Sequence, residues 1–476
     1  MAEQLKDTIA IVPDQAGIAT NGKTPQPANH TGTTNGTSGG SNNELAPEKE
    51  PLKPVNHSNR RPKVVIVGAG FGGTHAAASL ADSDMDVLVL DRNNYHGFWP
   101  LLYQVATAGL EPQSVAYPVR GLLRKYGNVN FQLSEVKKVD LEAKKVQTED
   151  GSIDYDYLVM AAGSANSYFG NKALAQETLG LKDLDDASKL RNRLLESFEL
   201  AVKEEDPAKR AKLLTFVVIG GGPTGVELSG AISELIRHVL RKDYPTLDVY
   251  KARVILLEAL PKILGTFRES LQKKALRTLE KMGVEVRMGV PVDTVENGQI
   301  RLKDGSTIDA NTIVWAAGVR SAEVSDTLGL KLARQSRVPI QPTLQIEGHP
   351  EVFVIGDMAY LEGFKENQAY PMVAPVAIQM GKLVGENLLA LQHDRPLKPF
   401  KYFDKGNMAT IGRRNAIFDA FGVRMTGYPA WLSWLFVHLM SLVGFRNRLV
   451  VLLNWAYNYF TYDRGARLIT GKKSVR

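Results

Sequence analysis

From residue 63 onward the chain alternates short, continuous apolar runs of strand length with longer stretches of helical composition. Lys63-Val-Val-Ile-Val67 is the first run; a glycine cluster follows, then the alanine-rich Thr74–Ala81, then Val87–Leu90 closed by Asp91. A run without polar alternation reads as a strand buried on both faces, and the order strand, turn, helix, strand reads as a βαβ unit of a parallel sheet. The same order returns at Leu213–Ile219, with glycines within 220–225, a helix through about Leu240, and Arg253–Leu257 closed by Glu258. The pattern predicts an α/β protein built from two similar halves.

The two ends of the chain break this pattern. Residues 1–61 contain no Phe, Tyr or Trp and are rich in Thr, Asn, Gly, Ser and Pro, so this arm is expected to be disordered. It does not read as a signal peptide, because Glu3, Lys6 and Asp7 precede only the short apolar run Ile9–Val12. From residue 399 the chain turns aromatic and basic, and three of the five tryptophans (Trp431, Trp434, Trp455) lie there. Residues 401–476 carry 12 Lys or Arg against Asp404, Asp419 and Asp463, a balance of +9; the total of +7 leaves −2 for the rest. A basic tail can signal nucleic acid, but here the charge is interleaved with Trp and Leu, and no nucleic-acid partner is expected.

The chain has no cysteine. Disulfide exchange, thiolate metal sites and cysteine nucleophiles are therefore excluded, and redox chemistry has to come from a bound cofactor. No His/acid cluster has metal-ligand spacing and no Gly-x-Ser-x-Gly elbow is present, so no metal site is expected.

The first glycine cluster is Gly68-Ala69-Gly70-Phe71-Gly72-Gly73. In this arrangement the first glycine makes the tight turn, the second lets a pyrophosphate approach the backbone, and the third lets helix and sheet pack closely. A glycine pattern alone also occurs in turns that merely pack. The strand before it, the helix after it, and Asp91 placed 23 positions after Gly68 to hold a ribose hydroxyl together point to a dinucleotide. The second cluster, Gly220-Gly221-Gly222-Pro-Thr224-Gly225, ends at Glu258 after 38 positions, with the polar stretch Arg241–Ala252 accounting for the extra length. A carboxylate at Glu258 repels a 2′-phosphate and favours NADH over NADPH. Two further strand ends, at Ala162-Gly163 and Ala317-Gly318, are small enough for a nucleotide to lie close, and Gly356-Asp357 offers a carboxylate to a flavin ribityl chain.

Residues 63–398 resemble the two-dinucleotide flavoprotein superfamily, in which an FAD domain is interrupted by an NADH domain. More narrowly the chain resembles the bacterial type II NADH:quinone oxidoreductases. That resemblance rests on Pro100-Leu-Leu-Tyr-Gln-Val-Ala-Thr107, Gly220–Gly230, Trp315-Ala-Ala-Gly-Val-Arg320, Asp404-Lys-Gly-Asn-Met-Ala-Thr-Ile-Gly412 and Gly444–Arg467. It implies two Rossmann-like domains: an FAD domain over 62–181 and 320–398, an NADH domain over 182–319, and a membrane-anchoring module over 399–476. It also implies FAD as cofactor, touched by Arg92, Val136 and Ala377 besides the residues above, with NADH as substrate and a membrane quinone as acceptor. The family's quinone pattern, A-Q-x-A-x-Q, stands here as Ala374-Pro375-Val-Ala377-Ile-Gln379, followed by Met380. Proline in place of the first glutamine removes a side-chain donor.

Glu227 follows the third glycine of the second cluster by two residues. It reads either as a carboxylate matched to a helix N-terminus or, as the resemblance implies, as a group at the flavin–nicotinamide junction that orients the cofactor or relays protons. His96 reads as structural more readily than catalytic. Between Arg424 and Arg446 lie 21 uncharged residues, long enough to span a bilayer, but Pro429, Ser433, His438, Ser441 and Gly444 dilute them. Trp, Tyr and Arg together favour an in-plane anchor on anionic lipid, on the cytoplasmic face of the membrane. Burial of the tail in the core or in a dimer interface stays among the options, as does a homodimer, and no proton path across the membrane is expected. Two other readings remain open: a soluble NADH:acceptor reductase of the ferredoxin-reductase type, which needs no such tail, and a non-catalytic redox-sensing flavoprotein.

Overall fold

The computed structural model describes residues 60–365 and 368–471. Of the N-terminal arm only Arg60 and Arg61 fall within it, and the rest of that expectation lies outside the described residues.

The first half opens with β1 (Lys63–Val67), α1 (Phe71–Ser79) and β2 (Asp86–Asp91), followed by the short helix α2 (Leu102–Ala106), β3 (Val129–Leu133) and β4 (Tyr157–Met160). The second half contains β5 (Thr215–Ile219), α3 (Pro223–Glu234), β6 (Arg253–Glu258), β7 (Val284–Met288) and β8 (Thr312–Trp315). The chain then returns to the first half with β9 (His349–Val354) and α4 (Ala374–Gln392). It ends in a hairpin sheet, β10 (Asn407–Thr410), β11 (Ala416–Ala420) and β12 (Val423–Thr426), and two helices, α5 (Tyr428–Ser441) and α6 (Phe445–Thr461).

Two parallel sheets organise these elements. In the first, β9, β4, β1, β2 and β3 lie side by side, with the short strand Gln345–Ile346 at the edge beyond β9; in the second the order is β7, β6, β5, β8. Both centre on a fully buried apolar strand. Val64, Val65 and Ile66 of β1, and Phe216, Val217 and Val218 of β5, have no exposed surface, which is why neither strand shows polar alternation. β1 pairs with β2 from Lys63↔Asp86 and with β4 from Val64↔Tyr157. β5 pairs with β6 from Thr215↔Arg253 and with β8 from Phe216↔Thr312.

The chain crosses between the halves on two antiparallel strands, Ser164–Asn166 and Val319–Ser321, which pair with each other. The helix Lys172–Glu177 packs Leu174 into the core of the second half, and Leu179 bridges Val314 of β8. The first helix begins at Phe71, three residues earlier than its alanines suggest, because Gly70 already has the extended backbone of an N-cap. The long helix of the second half changes to a π-helical turn over Leu235–Leu240 before a last turn, Arg241–Asp243.

The C-terminal part shares a core with the second half. Ala430, Trp434, Leu442 and Val451 belong to the same buried cluster as Val226, Ile232 and Val239. Gly412, at φ +68°, brings the hairpin against α3, where a Cβ on Gly230 would lie 3.3 Å from the Gly412 nitrogen. Among the described residues no helix is long and apolar enough to cross a membrane.

Candidate functional site

The two glycine loops share their backbone geometry at the turn. Gly68 has φ +107° and Gly220 φ +116°, a region that side chains disfavour. A Cβ on Gly68 would lie 2.4 Å from the Ala161 carbonyl oxygen, and one on Gly220 2.5 Å from that of Ala316. Gly73 and Gly225 close helix onto strand: their Cβ atoms would stand 1.8 and 1.9 Å from the carbonyl oxygens of Gly68 and Gly220. Gly70 and Gly222, by contrast, have nothing within 4 Å of an added methyl, although their backbones would accept one. The middle glycine of each loop is therefore not required by protein packing. Open space over a turn that leads into a helix N-terminus fits a pyrophosphate.

The carboxylates at the strand ends also correspond. Asp91 Oδ2 accepts the Ala69 N–H at 2.7 Å, and Glu258 Oε2 accepts the Gly221 N–H at 2.6 Å. Their second oxygens accept N–H groups of Asn93 and Leu260, each at 2.7 Å. Burial pushes the Asp91 carboxyl above its ordinary value, against the opposing pull of the Ala69 and Asn93 amides. The carbonyls of the same loop residues are held differently. Gly221 accepts the Leu264 N–H at 2.7 Å, whereas Ala69 is met by His96 Nδ1 at 2.9 Å. His96 is fully enclosed and burial lowers its pKa, so it stays neutral and serves as a structural donor to the loop.

Some of the remaining residues expected around a flavin, Ala377 and Gly356 among them, pack against the first loop. A Cβ on Gly356, at φ +65°, would lie 3.0 Å from Ala377 Cβ, and one on Gly381 would lie 2.3 Å from the Gly72 carbonyl oxygen, so α4 crosses α1 in close contact. The Ala162 N–H approaches Met358 Sδ at 3.1 Å, Gly163 is open, and Ser164 donates to Asp357 Oδ2 at 2.5 Å. Lys182, which has no recognisable sequence signal, is nearby in charge: burial lowers its pKa while Asp357 and Asp186 oppose the shift. Arg92 is exposed and 3.7 Å from Asp183, and Val136 packs at the rim of the first core. In the second half Thr224 is exposed in the first turn of α3, Ala317 follows β8 beside Gly220, and Gly318 lies against the Phe169 ring.

Glu227 faces a partly open cavity of about 120 Å³ lined by α2, α3, the hairpin and the two C-terminal helices. Its Oε1 accepts the Thr410 N–H at 3.2 Å. Burial raises its pKa to about 8, outweighing the Thr410 hydrogen bond. The Trp434 indole pulls weakly the same way as Thr410, although its N–H does not reach hydrogen-bond geometry. What surface the carboxyl retains therefore opens into the cavity. Seven residues further along α3, Glu234 accepts the Arg413 N–H and pairs with Arg464 at 3.3 Å. Arg464 also donates to the Thr107 carbonyl at 2.8 Å, Trp455 to Gln104 Oε1 at 2.7 Å, and Asn458 to the Gly109 carbonyl at 3.0 Å. These contacts clamp α6 and the segment after it onto α2.

Three residues taken from the quinone pattern lie elsewhere. The Gln379 amide is engaged on both sides by the Phe403 backbone, donating to its carbonyl at 3.0 Å and accepting its N–H at 2.9 Å. Met380 is fully buried, with its sulfur 3.3 Å from the Gly356 nitrogen. Pro375 occupies the first turn of α4, where a missing N–H costs nothing. None of the three lines the cavity at Glu227.

The comparisons with known proteins agree with this architecture. Residues 62–381 match the pyridine nucleotide-disulphide oxidoreductase model, and residues 405–462 match the NDH2 C-terminal domain. A type II NADH:quinone oxidoreductase of Mycobacterium tuberculosis is 40% identical over 445 residues, covering 90% of this chain and 94% of that protein. The chain belongs to the type II NADH:quinone oxidoreductase family. A Staphylococcus haemolyticus member is 30% identical over 379 residues, covering 78% of this chain and 92% of its own. Plasmodium falciparum NDH2, solved in complex with NADH, shares the fold at TM-score 0.79 and 18% identity, covering 87% of this chain and all of the other. The expected family, α/β class and enzymatic nature are thereby established. The disulphide chemistry in the broader family's description has no counterpart in a chain without cysteine.

Proposed function

We propose that this oxidoreductase binds FAD on the Gly68–Gly73 loop and NADH on the Gly220–Gly225 loop, and passes two electrons from NADH to a membrane quinone without moving protons across the membrane. The observation that carries the reading is the pair of matched loops, each open over its middle glycine and closed by a carboxylate, with Glu227 leading from the second loop into a separate cavity. Bound FAD supplies the two-electron relay between hydride donor and quinone. Asp91 and Asp357 present carboxylates to sugar and ribityl hydroxyls, and the backbone at Gly70 admits the phosphates. Glu258 does the same for the NADH ribose and disfavours a 2′-phosphate.

The net reaction consumes one proton with each NADH and quinone. A carboxyl titrating near 8 carries that proton at neutral pH, and Glu227 is therefore read as the donor, with the cavity as its route to solvent. The helix-dipole reading is weaker, because a carboxylate serving only a dipole gains from staying ionised.

Membrane attachment is supported by the outward face of α5 and α6. Phe445 and Phe460 are 80% and 81% exposed, and Leu449, Leu452, Leu453 and Phe436 stand on the same helices. Arginines 446 and 448 flank them, a composition suited to anionic lipid headgroups. Because NADH is a cytoplasmic solute, the docked enzyme faces the cytoplasm.

The test is to follow NADH oxidation by the purified, detergent-solubilised protein with and without added quinone, with acid release of the flavin. Quinone-dependent turnover and FAD in the supernatant are expected. Turnover only with soluble protein acceptors, or no turnover at all, refutes the reading.

A further inference from the structure

A second pocket lies at the end of the second sheet opposite its glycine loop. It is partly open, about 300 Å³ in volume, and its lining includes Gln176, Glu177, Arg193, Lys212, Gly298 and Asn311. Lys212 and Asn311 precede β5 and β8, whereas Gly220 and Gly318 follow them. A strand of five residues is about 17 Å long, so the pocket and the nucleotide loop are well separated. Open parallel sheets bind their substrates at the carboxyl ends of the strands. A pocket at the amino ends is no part of the NADH site.

Its walls come from distant pieces of chain that hydrogen bonds hold together. Lys212 Nζ donates to the Asn297 carbonyl at 2.8 Å, and the Lys212 carbonyl accepts the Asn311 N–H at 3.0 Å. The Asn311 side chain donates to Ser197 Oγ at 3.0 Å, and Ser197 donates to the Arg193 carbonyl at 2.8 Å. Gly298 keeps the space open. At φ +73°, a Cβ there would lie 2.6 Å from the Ala310 carbonyl oxygen and 3.0 Å from Lys212 Cε, displacing the lysine.

The charges do not balance within these walls. Lys212 stands in the last turn of the helix Pro207–Leu213, where a cation offsets the helix dipole. Arg193 is half-buried, and its guanidinium meets no hydrogen-bond or ion-pair partner among the described residues. Glu177, exposed at the rim, is the one acid in the lining and pairs with neither cation among the described residues. A guanidinium presents a planar fork of N–H donors that matches a phosphate or a carboxylate. Glu177 and the side-chain oxygen of Asn311 call instead for donors, which hydroxyl groups supply. The volume stands at the lower end of the roughly 300–1,000 Å³ of small-molecule pockets.

We propose that this pocket binds a small hydroxylated oxyanion, a phosphate ester or hydroxy acid of metabolite size, with Arg193 and Lys212 at its anionic end. Leu179, also in the lining, gives its N–H to the Ile313 carbonyl at 2.9 Å and accepts the Trp315 N–H at 2.8 Å. The occupant therefore touches both the segment that crosses between the halves and β8, while leaving the glycine loop clear for NADH.

The experiment uses the full-length, FAD-loaded enzyme and isothermal titration with glycerol 3-phosphate and with malate, at constant ionic strength in chloride. Saturable binding of at least one is expected, at the same affinity with and without saturating NAD+; the two probes tell phosphate from carboxylate. Arg193→Met and Lys212→Met should each weaken it by at least about tenfold, with flavin content and ligand-free melting temperature close to wild type. Lys209→Met removes an equal charge from an exposed position on the helix of Lys212 and should leave the affinity within about twofold of wild type.

No saturable binding of either probe overturns the proposal. Binding that both pocket variants leave unchanged overturns it too, and displacement by NAD+ would then put the anion on the glycine loop. Equal weakening by Lys209→Met reduces the effect to general surface charge and also defeats it. If Arg193→Met does not fold, Lys212→Met decides alone.

Discussion

Glu227 Oε1 accepts the backbone N–H of Thr410 at 3.2 Å, so the helix that issues from the second glycine loop is tied directly to the C-terminal hairpin. The bond reaches across 183 positions of chain and leaves the second carboxyl oxygen free of any backbone donor. The proton donor proposed above therefore stands at the seam between the dinucleotide half and the C-terminal part.

Glu227→Gln keeps an acceptor for Thr410 and removes the transferable proton. Quinone turnover should fall at least about tenfold while FAD stays bound and NADH still bleaches the flavin. In the wild type, turnover should decline as pH rises through about 8, where the carboxyl loses its proton. The variant should lack that limb; stopped-flow reoxidation across pH 6–9.5 measures both.

The same carboxyl sets a stability slope. Its folded value, about 8, lies above the ordinary 4.5, so the folded state holds a proton that the unfolded chain releases. Stability is then greatest below the unfolded value and falls as pH rises toward the folded one, by up to about 1.4 kcal/mol per pH unit in that window. Denaturant midpoints for wild type and Glu227→Gln should diverge between pH 5 and 8, with the variant nearly flat.

The glycines of the first loop separate folding from cofactor binding. Gly70→Ala should leave the apoprotein melting temperature unchanged, because its methyl meets no protein atom, yet weaken FAD binding where the phosphates approach. Gly68→Ala combines φ +107° with a 2.4 Å clash on Ala161 and should cost both stability and flavin. Equal damage from the two substitutions would mean that the open space over Gly70 does not belong to the cofactor.

NADH should be used far better than NADPH, judged by kcat/KM, and Glu258→Gln should narrow the gap by about tenfold by removing a charge beside the 2′ position. Glutamine can keep only one of the two bonds to Gly221 and Leu260. Some rise in the NADH KM should accompany the change.

Membrane binding should depend on the outer faces of α5 and α6, where Phe445 and Phe460 are the most exposed rings. Phe445→Ser with Phe460→Ser is expected to abolish flotation on anionic liposomes, since each exposed aromatic contributes about 1.5–3 kcal/mol on insertion, while flavin content stays normal. Deleting the tail from Tyr428 is a harsher change. It removes the fully enclosed Trp434 together with Arg464 and its bond to Thr107, and should collapse the cavity as well as release the membrane.

The strand-and-turn skeleton was legible in the sequence because its constraints are local. β1 and β5 are continuous apolar runs since both faces are buried, and Gly68 and Gly220 stand where only a backbone with positive φ makes the turn. Asp91 and Glu258 could be picked out by their position at strand ends, although their bonds to Ala69 and Gly221 could not. The cavity was hidden because no stretch of sequence contains it. Tyr103 and Gln104, Glu227 and Glu234, Thr410 and Arg413, and the last helix come together only in space. The tail misled for a related reason: Trp434 and Phe445 look equally membrane-seeking in sequence, yet one is 1% exposed and the other 80%. Helical phase separates them, and an apolar stretch as uniform as α5 carries little phase information.

The near-identity of the two glycine loops also bears on inhibitor selectivity. A compound that imitates adenosine diphosphate meets the same turn, the same open glycine and the same kind of carboxylate twice in this chain, and again in every other protein that carries such a loop. Potency won there comes with indiscriminate targeting. The wall made by Arg413, Trp434 and Tyr462 is assembled from the C-terminal hairpin and helices, outside both loops. A molecule shaped to that wall would discriminate by a part of the architecture that the two loops do not share.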